Sequence, residues 1–345
     1  LKLQHFLVSE EMIAHPQLPA ASIPRAIVEN VESVVGDTKY YTSIQLGGQR
    51  YTPERFKDNV IQLVDNFYYI TDKINYTFGV DMMYTHLNSL YGSEMNGRFY
   101  FTGMDNFNAL TPYRYAREIA LVSDPSVRMN ILASGIYGQM ETKLFPGMEM
   151  MAGLRMDYTR YFDKANFNQM VYDDLGLRTD NVISTFQPQP RVQFTYDVNE
   201  NRKDIIRFGA GIFGSDLNNY SMINNMLFDG SKIASVDIQG NLVPKPDFIN
   251  YRQNPSAAPG AELFDKEGVS KLTTINTNGA DAKVPVVNKA NVSYTHFFND
   301  RFRMSINGYG KWARNKYMYV YRNMVEDRFF RIEAEANRGV YVPAS

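Results

Sequence analysis

The chain has 345 residues, a formal net charge of -1 and no cysteine. This balance gives no electrostatic case for nucleic acid or for anionic lipid headgroups, and the missing cysteines exclude disulfides, thiolate nucleophiles and thiolate metal sites. Mean hydropathy is -0.36 and no apolar run approaches the ~18 residues of a transmembrane helix. That excludes helical spans but not a membrane barrel, in which half of each strand faces water.

Residues 1–10 read as the end of a strand. Residues 11–24, with Pro16, Pro19 and Pro24, read as a loop. A weak strand pair follows at 25–34 and 38–48, turning at Val35-Gly36-Asp37, and GGQRYTPER then breaks the pattern. Residues 59–70 turn at Thr71-Asp72 into 73–86. There Ile74, Tyr76, Phe78, Val80, Met82 and Tyr84 alternate with Lys73, Asn75, Thr77, Gly79, Asp81, Met83 and Thr85. A period of two is the strand signature, because successive side chains point to opposite faces. Residues 88–128 read as long and irregular, apart from a short strand-like GRFYF at 97–101.

The clearest hairpin spans 131–161. Leu132, Ile136, Met140 and Leu144 share one face, opposite Tyr137, Gln139, Glu141 and Lys143. Phe145-Pro146-Gly147 makes the turn. Met148, Met150, Ala152, Leu154, Met156 and Tyr158 then form an apolar row against Glu149, Gly153, Arg155, Asp157 and Thr159, with Met151 the exception. This second strand is about 11 residues long, enough to cross a bilayer when tilted. The methionines of its apolar row read as lipid packing rather than as an adaptable binding surface. Residues 162–188 are irregular. A third hairpin runs through 191–198 and 204–212 with its turn at Asn199–Lys203, and 214–288 are again irregular. A fourth occupies 289–298 and 302–311, turning at Asn299-Asp300, and KYMYVYR at 316–322 reads as the start of one more strand.

Links inside the hairpins are short, and links between hairpins far exceed the usual ~2–6 residues. All short turns therefore fall at one end of the sheet and all long loops at the other. The expected fold is all-β: an antiparallel transmembrane β-barrel, with short periplasmic turns, long extracellular loops, lipid outside and water inside. The 14% aromatic content, 24 Tyr and 22 Phe, suits the interfacial girdles of such a barrel. The chain starts at Leu1, shows no charged and then apolar leader, and stops at Ser345 just after a strand-like segment. It reads as a fragment, incomplete at both ends, from which an open sheet with exposed edges is expected.

Several stretches resemble TonB-dependent outer-membrane receptors, most closely the Oar-like group of Bacteroidetes. MAGLRMDY looks like that family's GLRYD-type strand, and GIYGQMETKL is similar to its YAQDE-type strand. QPQPRVQFTYDVNENRKDIIRFGAGIF looks like its PR…D…G.G.F hairpin, and GSEMNGRFYFTGMDNF and NRGVYVPA also look like sequence of this group. The resemblance covers nearly the whole of 1–345. It implies part of a 22-strand barrel around an N-terminal plug, with TonB, ExbB and ExbD as partners and a large ligand moved across the bacterial outer membrane. The plug, the TonB box and any N-terminal domain of that family are missing from these residues. A structural or adhesive barrel and a passive porin stand as alternatives, as does a soluble all-β binding module.

No catalytic, metal or cofactor site is expected. His5, His15, His86 and His296 have no ligand spacing, and nothing resembles a nucleophile elbow. Asp173-Asp174 and the Asp216–Asn219 run carry calcium-type oxygens without an EF-hand pattern and read as solvated loop. Arg155, Asp157, Arg191, Asp197 and Arg207 fall on the polar faces. They are expected to form a lumen network, pairing with one another or with a plug, in preference to direct ligand contact. If a ligand is held by the long loops, Tyr113, Tyr115, Phe167 and Tyr220 are available for stacking.

Overall fold

The computed structural model describes residues 2–12, 23–215, 219–323 and 327–341. In chain order the strands and helices are β1 (Lys2–Met12), β2 (Arg25–Val35), β3 (Thr38–Gly47), β4 (Glu54–Ile70), β5 (Ile74–Tyr91), β6 (Arg98–Thr102) and α1 (Gly103–Asn108). Then come β7 (Arg114–Ala120), β8 (Val127–Phe145), β9 (Met148–Tyr161), α2 (Gln169–Leu175), β10 (Gln187–Val198), β11 (Asp204–Gly214) and α3 (Tyr220–Leu227). The chain continues through β12 (Ile233–Gln239), α4 (Phe248–Gln253), β13 (Val286–Phe297), β14 (Arg303–Arg314), β15 (Phe330–Ile332) and β16 (Arg338–Val340).

Nine strands form one antiparallel wall in the order β1-β4-β5-β8-β9-β10-β11-β13-β14. The four predicted hairpins are all present, and β1 and β14 are its edges among the described residues. Register follows the alternation: Ile136 stands opposite Val80 and Met156, while Tyr137 stands opposite Gly79 and Arg155. One face of the wall is apolar and bare. On it Ile136, Leu154, Val292 and Ile306 are 53, 44, 52 and 62% exposed, too much apolar surface for water to be its solvent. The four short turns share one end, and the links 13–53, 92–126, 162–186 and 215–285 share the other.

Strands from three of the long links build a second sheet in the order β12-β7-β6-β2-β3, in which β2 and β6 run parallel. The strand-like stretch at 97–101 is β6, but the rest of the irregular 88–128 is corrected: β5 runs on to Tyr91, β8 starts at Val127, and α1 and β7 lie between. The region 214–288 likewise contributes α3, β12 and α4, and 162–188 contributes α2. The second sheet buries one face on its own core, where Val28, Phe99, Phe101, Tyr115, Val236 and Leu263 are almost wholly enclosed. Phe99 packs 4.4 Å from Tyr115, centroid to centroid.

A separate core joins these links to the wall. At the long-link end the polar face of the wall turns apolar, with Leu87, Val127, Met129 and Ile131 in place of charges. Met222, Ile223, Met226 and Leu227 of α3 cover that patch. Helix α3 thus roofs the polar side of the wall. The weak pair 25–34 and 38–48 is confirmed as β2 and β3, with one irregularity between Val28 and Val31. The expected strand at 316–322 is not formed: Tyr319 and Tyr321 are 90 and 83% exposed, with no strand beside them among the described residues. Strand-favouring residues alone cannot hold a strand, whose backbone donors need a ladder partner. Most of the proposed 11–24 loop lies outside the described residues.

Candidate functional site

The polar face of the wall carries a ribbon of side chains running from strand to strand. Gln62 on β4 donates to Asp81 Oδ1 on β5 at 3.0 Å. Arg155 on β9 reaches Asp81 Oδ2 at 3.4 Å and Asp157 Oδ1 at 2.7 Å. Gln189 on β10 donates to the other oxygen of Asp157, and Arg191 Nη2 donates to Gln189 Oε1 at 3.1 Å. Beyond it, the ring of Phe213 on β11 lies 4.6 Å from the Arg191 guanidinium carbon and 4.8 Å from Lys289 Nζ of β13.

Arg155 can bridge two strands because β8 offers no side chain between them. Gly135 stands in register with both Asp81 and Asp157, and a Cβ there would come within 2.5 Å of Asp157 Oδ1. Gly209 and Gly211 play the same part on β11, between β10 and β13. The ion pairs are each 29% exposed, so they add little stability, ~0–1 kcal/mol. Their effect is to fix the long side chains flat against the wall and leave the space above it open.

Of the five residues expected in this network, Arg155, Asp157 and Arg191 come together. Asp197 does not: it sits at a short turn, where both its oxygens accept from the Arg202 backbone N–H. Arg207 stands on the same face but forms no ion pair among the described residues. Sequence alternation set the face correctly. It did not separate a mid-strand carboxylate from one that completes a turn.

The loop aromatics are dispersed. Tyr115 is fully enclosed in the core of the second sheet, donating to the Pro259 carbonyl at 2.6 Å, so its ring is closed to a ligand. Tyr113, 39% exposed, donates to Glu29 Oε2 at 2.6 Å; burial, then that bond, pushes its hydroxyl up to about 12. Phe167 is open, with Arg178 4.9 Å over its ring. Tyr220 is open at the start of α3, edge-on to Phe56 of β4 at 6.0 Å. Asp173 accepts from Gln169 of its own helix at 2.7 Å. Part of the Asp216–Asn219 run lies outside the described residues.

Sequence reading missed a charged centre where the second sheet meets the links around it. Glu94 is buried and faces three arginines: Arg25 at 2.6 Å, Arg50 at 3.1 Å and Arg98 at 3.2 Å. These four residues span 25–98 of the chain, so no local spacing marks them. Beside them stands Glu118, whose carboxyl is pushed up to about 7, chiefly by burial, with the Glu94 charge adding to it and Arg98 and Arg50 opposing it. Its folded form thus keeps a proton that the unfolded form releases near 4.5. That stabilisation is complete below about pH 4.5 and is lost as pH rises toward 7. Glu118→Gln is accordingly expected to stabilise the second sheet by about 1–2 kcal/mol at pH 8 and by nothing at pH 4. Amide hydrogen exchange in β6 and β7 at the two pH values checks it; equal protection of variant and parent at pH 8 refutes it.

The outer membrane beta barrel domain family matches residues 14–326. No curated protein matches the chain significantly. Solved structures with similarity include the outer membrane transporter YddB from Escherichia coli, at 10% identity and a TM-score of 0.41, covering 80% of this chain and 27% of that one. The copper transporter OprC is 11% identical with a TM-score of 0.34, covering 76% of this chain and 40% of its own. FauA, the alcaligin outer membrane receptor of Bordetella pertussis, is 10% identical with a TM-score of 0.22, covering 83% and 48%. The chain spans less than half the length of each of these structures.

Proposed function

Because this chain belongs to the outer membrane beta barrel domain family, and so to the bacterial outer membrane, we propose that it forms part of the wall and the outer loops of a TonB-dependent receptor. In this reading the bare apolar face meets lipid and the ribboned face lines a water-filled lumen. The short turns are periplasmic, and the second sheet caps the outside. The ligand is captured at the cap and passes along the polar wall once a plug, supplied by the rest of the protein, is displaced through TonB, ExbB and ExbD. The steps are binding and displacement, without covalent chemistry.

The observation that carries this reading is the roofed polar wall. Along it Gln62, Asp81, Arg155 and Asp157 pair with one another, and α3 packs over the long-link end of the same face. A passive porin needs an open mouth, and an adhesive barrel needs no ordered polar wall.

Planar-bilayer conductance of the full-length protein tests it. A plugged receptor is expected to be closed in buffer and to conduct in moderate urea, which unfolds a plug before the wall. Its purified form should also retain the periplasmic domain of TonB. Steady conductance without urea would instead make it a porin. Silence in both conditions, with no TonB retained, would make it a structural or adhesive barrel.

A further inference from the structure

The ribbon leaves one part of the wall with cations that it does not neutralise. Arg155 is held by Asp81 and Asp157. Arg191 meets only the neutral Gln189 oxygen and the Phe213 ring, and Lys289 meets only that ring. Neither has a carboxylate partner among the described residues. In register, Arg191 and Lys289 flank Gly211, and Gln193 and Asn291 flank Gly209. Two strands' width therefore separates the cations, ~10 Å between backbones, across the glycine backbone of β11, with the Phe213 ring beside both.

The result is a notch of about 470 Å³ whose described lining includes Arg191, Lys289, Gln193, Asn291 and Phe213 but no acidic residue. A Cβ on Gly211 would lie 3.1 Å from Arg191 Cγ and 3.2 Å from the Phe213 ring, so a larger residue there would close the floor. The charge imbalance continues outward: Lys311 of β14 stands directly opposite Lys289, and Arg207 lies one step along β11 from Gly209. Like charges paired across strands repel. Arg191 and Lys289 thus face the notch with no acid in its described lining, which leaves their charge available to an anion. The two amides add donors at the rim, and the guanidinium fork and ammonium suit planar or tetrahedral oxyanions.

We propose that this notch binds a small solute carrying a carboxylate or phosphate group, held between Arg191 and Lys289 over the Gly209/Gly211 floor. The inference rests on the reading of this face as a water-filled lumen. Its test reads equilibrium binding, whereas the receptor reading is tested by conductance and TonB retention, so each can fail alone.

The experiment is calorimetric titration of the full-length protein in non-ionic detergent with inorganic phosphate, and separately with citrate, at constant ionic strength. Saturable binding of at least one is expected, and which of the two binds assigns the anion class. Arg191→Gln and Lys289→Gln should each weaken it about tenfold, the loss of one charge-assisted contact. Lys57→Gln, near the long-link end of β4 on the opposite side of the wall, should leave it unchanged. Gly211→Ala keeps every charge yet should weaken binding too, because it raises the floor. Heat-dependent gel mobility verifies that each variant keeps its wall. Absence of saturable binding to the parent protein overturns the proposal, and so does equal weakening by Lys57→Gln, which would mean diffuse charge attraction. Parent-like binding by Gly211→Ala overturns the notch as the place of binding.

Discussion

Glu94→Ala is expected to unfold the second sheet while the wall stays assembled. Among the described residues Glu94 is the carboxylate that pairs with all of Arg25, Arg50 and Arg98, and Arg25 is itself buried. Removing it leaves the enclosed guanidiniums of Arg25 and Arg98 without their shared carboxylate, while Arg50 keeps about half of its side chain in water. Breaking a buried pair from one side costs about 3–5 kcal/mol, a large share of what a five-stranded sheet can hold in reserve. The damage should stay local, because Arg25 belongs to β2 and Arg98 to β6, the only parallel pair of the sheet, whereas the wall has its own ladders. Protease digestion of the protein in vesicles reads the outcome: cleavage within 92–126 with an unchanged heat-dependent gel shift of the wall. Continued resistance of those links would show that the charged centre is dispensable.

The second large effect separates the two faces of one strand. Leu154 and Met151 both lie on β9, three residues apart, so they point to opposite sides. Leu154→Arg puts a charge in the middle of the apolar face and should cost about 2–4 kcal/mol in a bilayer. Met151→Arg puts the same charge on the polar face, beside the notch, and should cost less than about 1 kcal/mol. Urea-driven folding into lipid vesicles measures both. Equal losses would mean that the apolar face does not meet lipid.

These two experiments also divide what was legible in the sequence from what was not. The contrast between Leu154 and Met151 follows from alternation, a property each strand carries in its own residues. So do the hairpin turns at Phe145-Pro146-Gly147 and Asn299-Asp300. The importance of Glu94 was not legible, because its partners lie 69, 44 and 4 residues away and nothing local marks their meeting. Tyr115 shows the same limit. It was grouped with Tyr113 as a loop aromatic, yet Tyr115 lies within β7 with its ring in a core, while Tyr113 stands just before that strand and is exposed. The alternation of Tyr115 with Arg114, and of Ile119 with Glu118, was the available signal, but β7 is too short for it to stand out. At 316–322 the error ran the other way: a run rich in strand-favouring residues found no neighbouring strand to pair with among the described residues.

By itself, the sequence determined that this is an all-β chain with one apolar and one polar face, its short links at one end and its long links at the other. Those features are written in periods of two and in turn residues, which act over a few positions. Tertiary structure alone decided that three distant links join into a second sheet, that α3 roofs the polar wall, and that Arg191 and Lys289 share a glycine floor while Arg155 is neutralised. The physical reason is that pairing and burial are long-range. A strand of five to seven residues such as β6 or β7 becomes a strand only when a partner completes its ladder and covers its face, and a charge is paired or unpaired only once the register has chosen its neighbours.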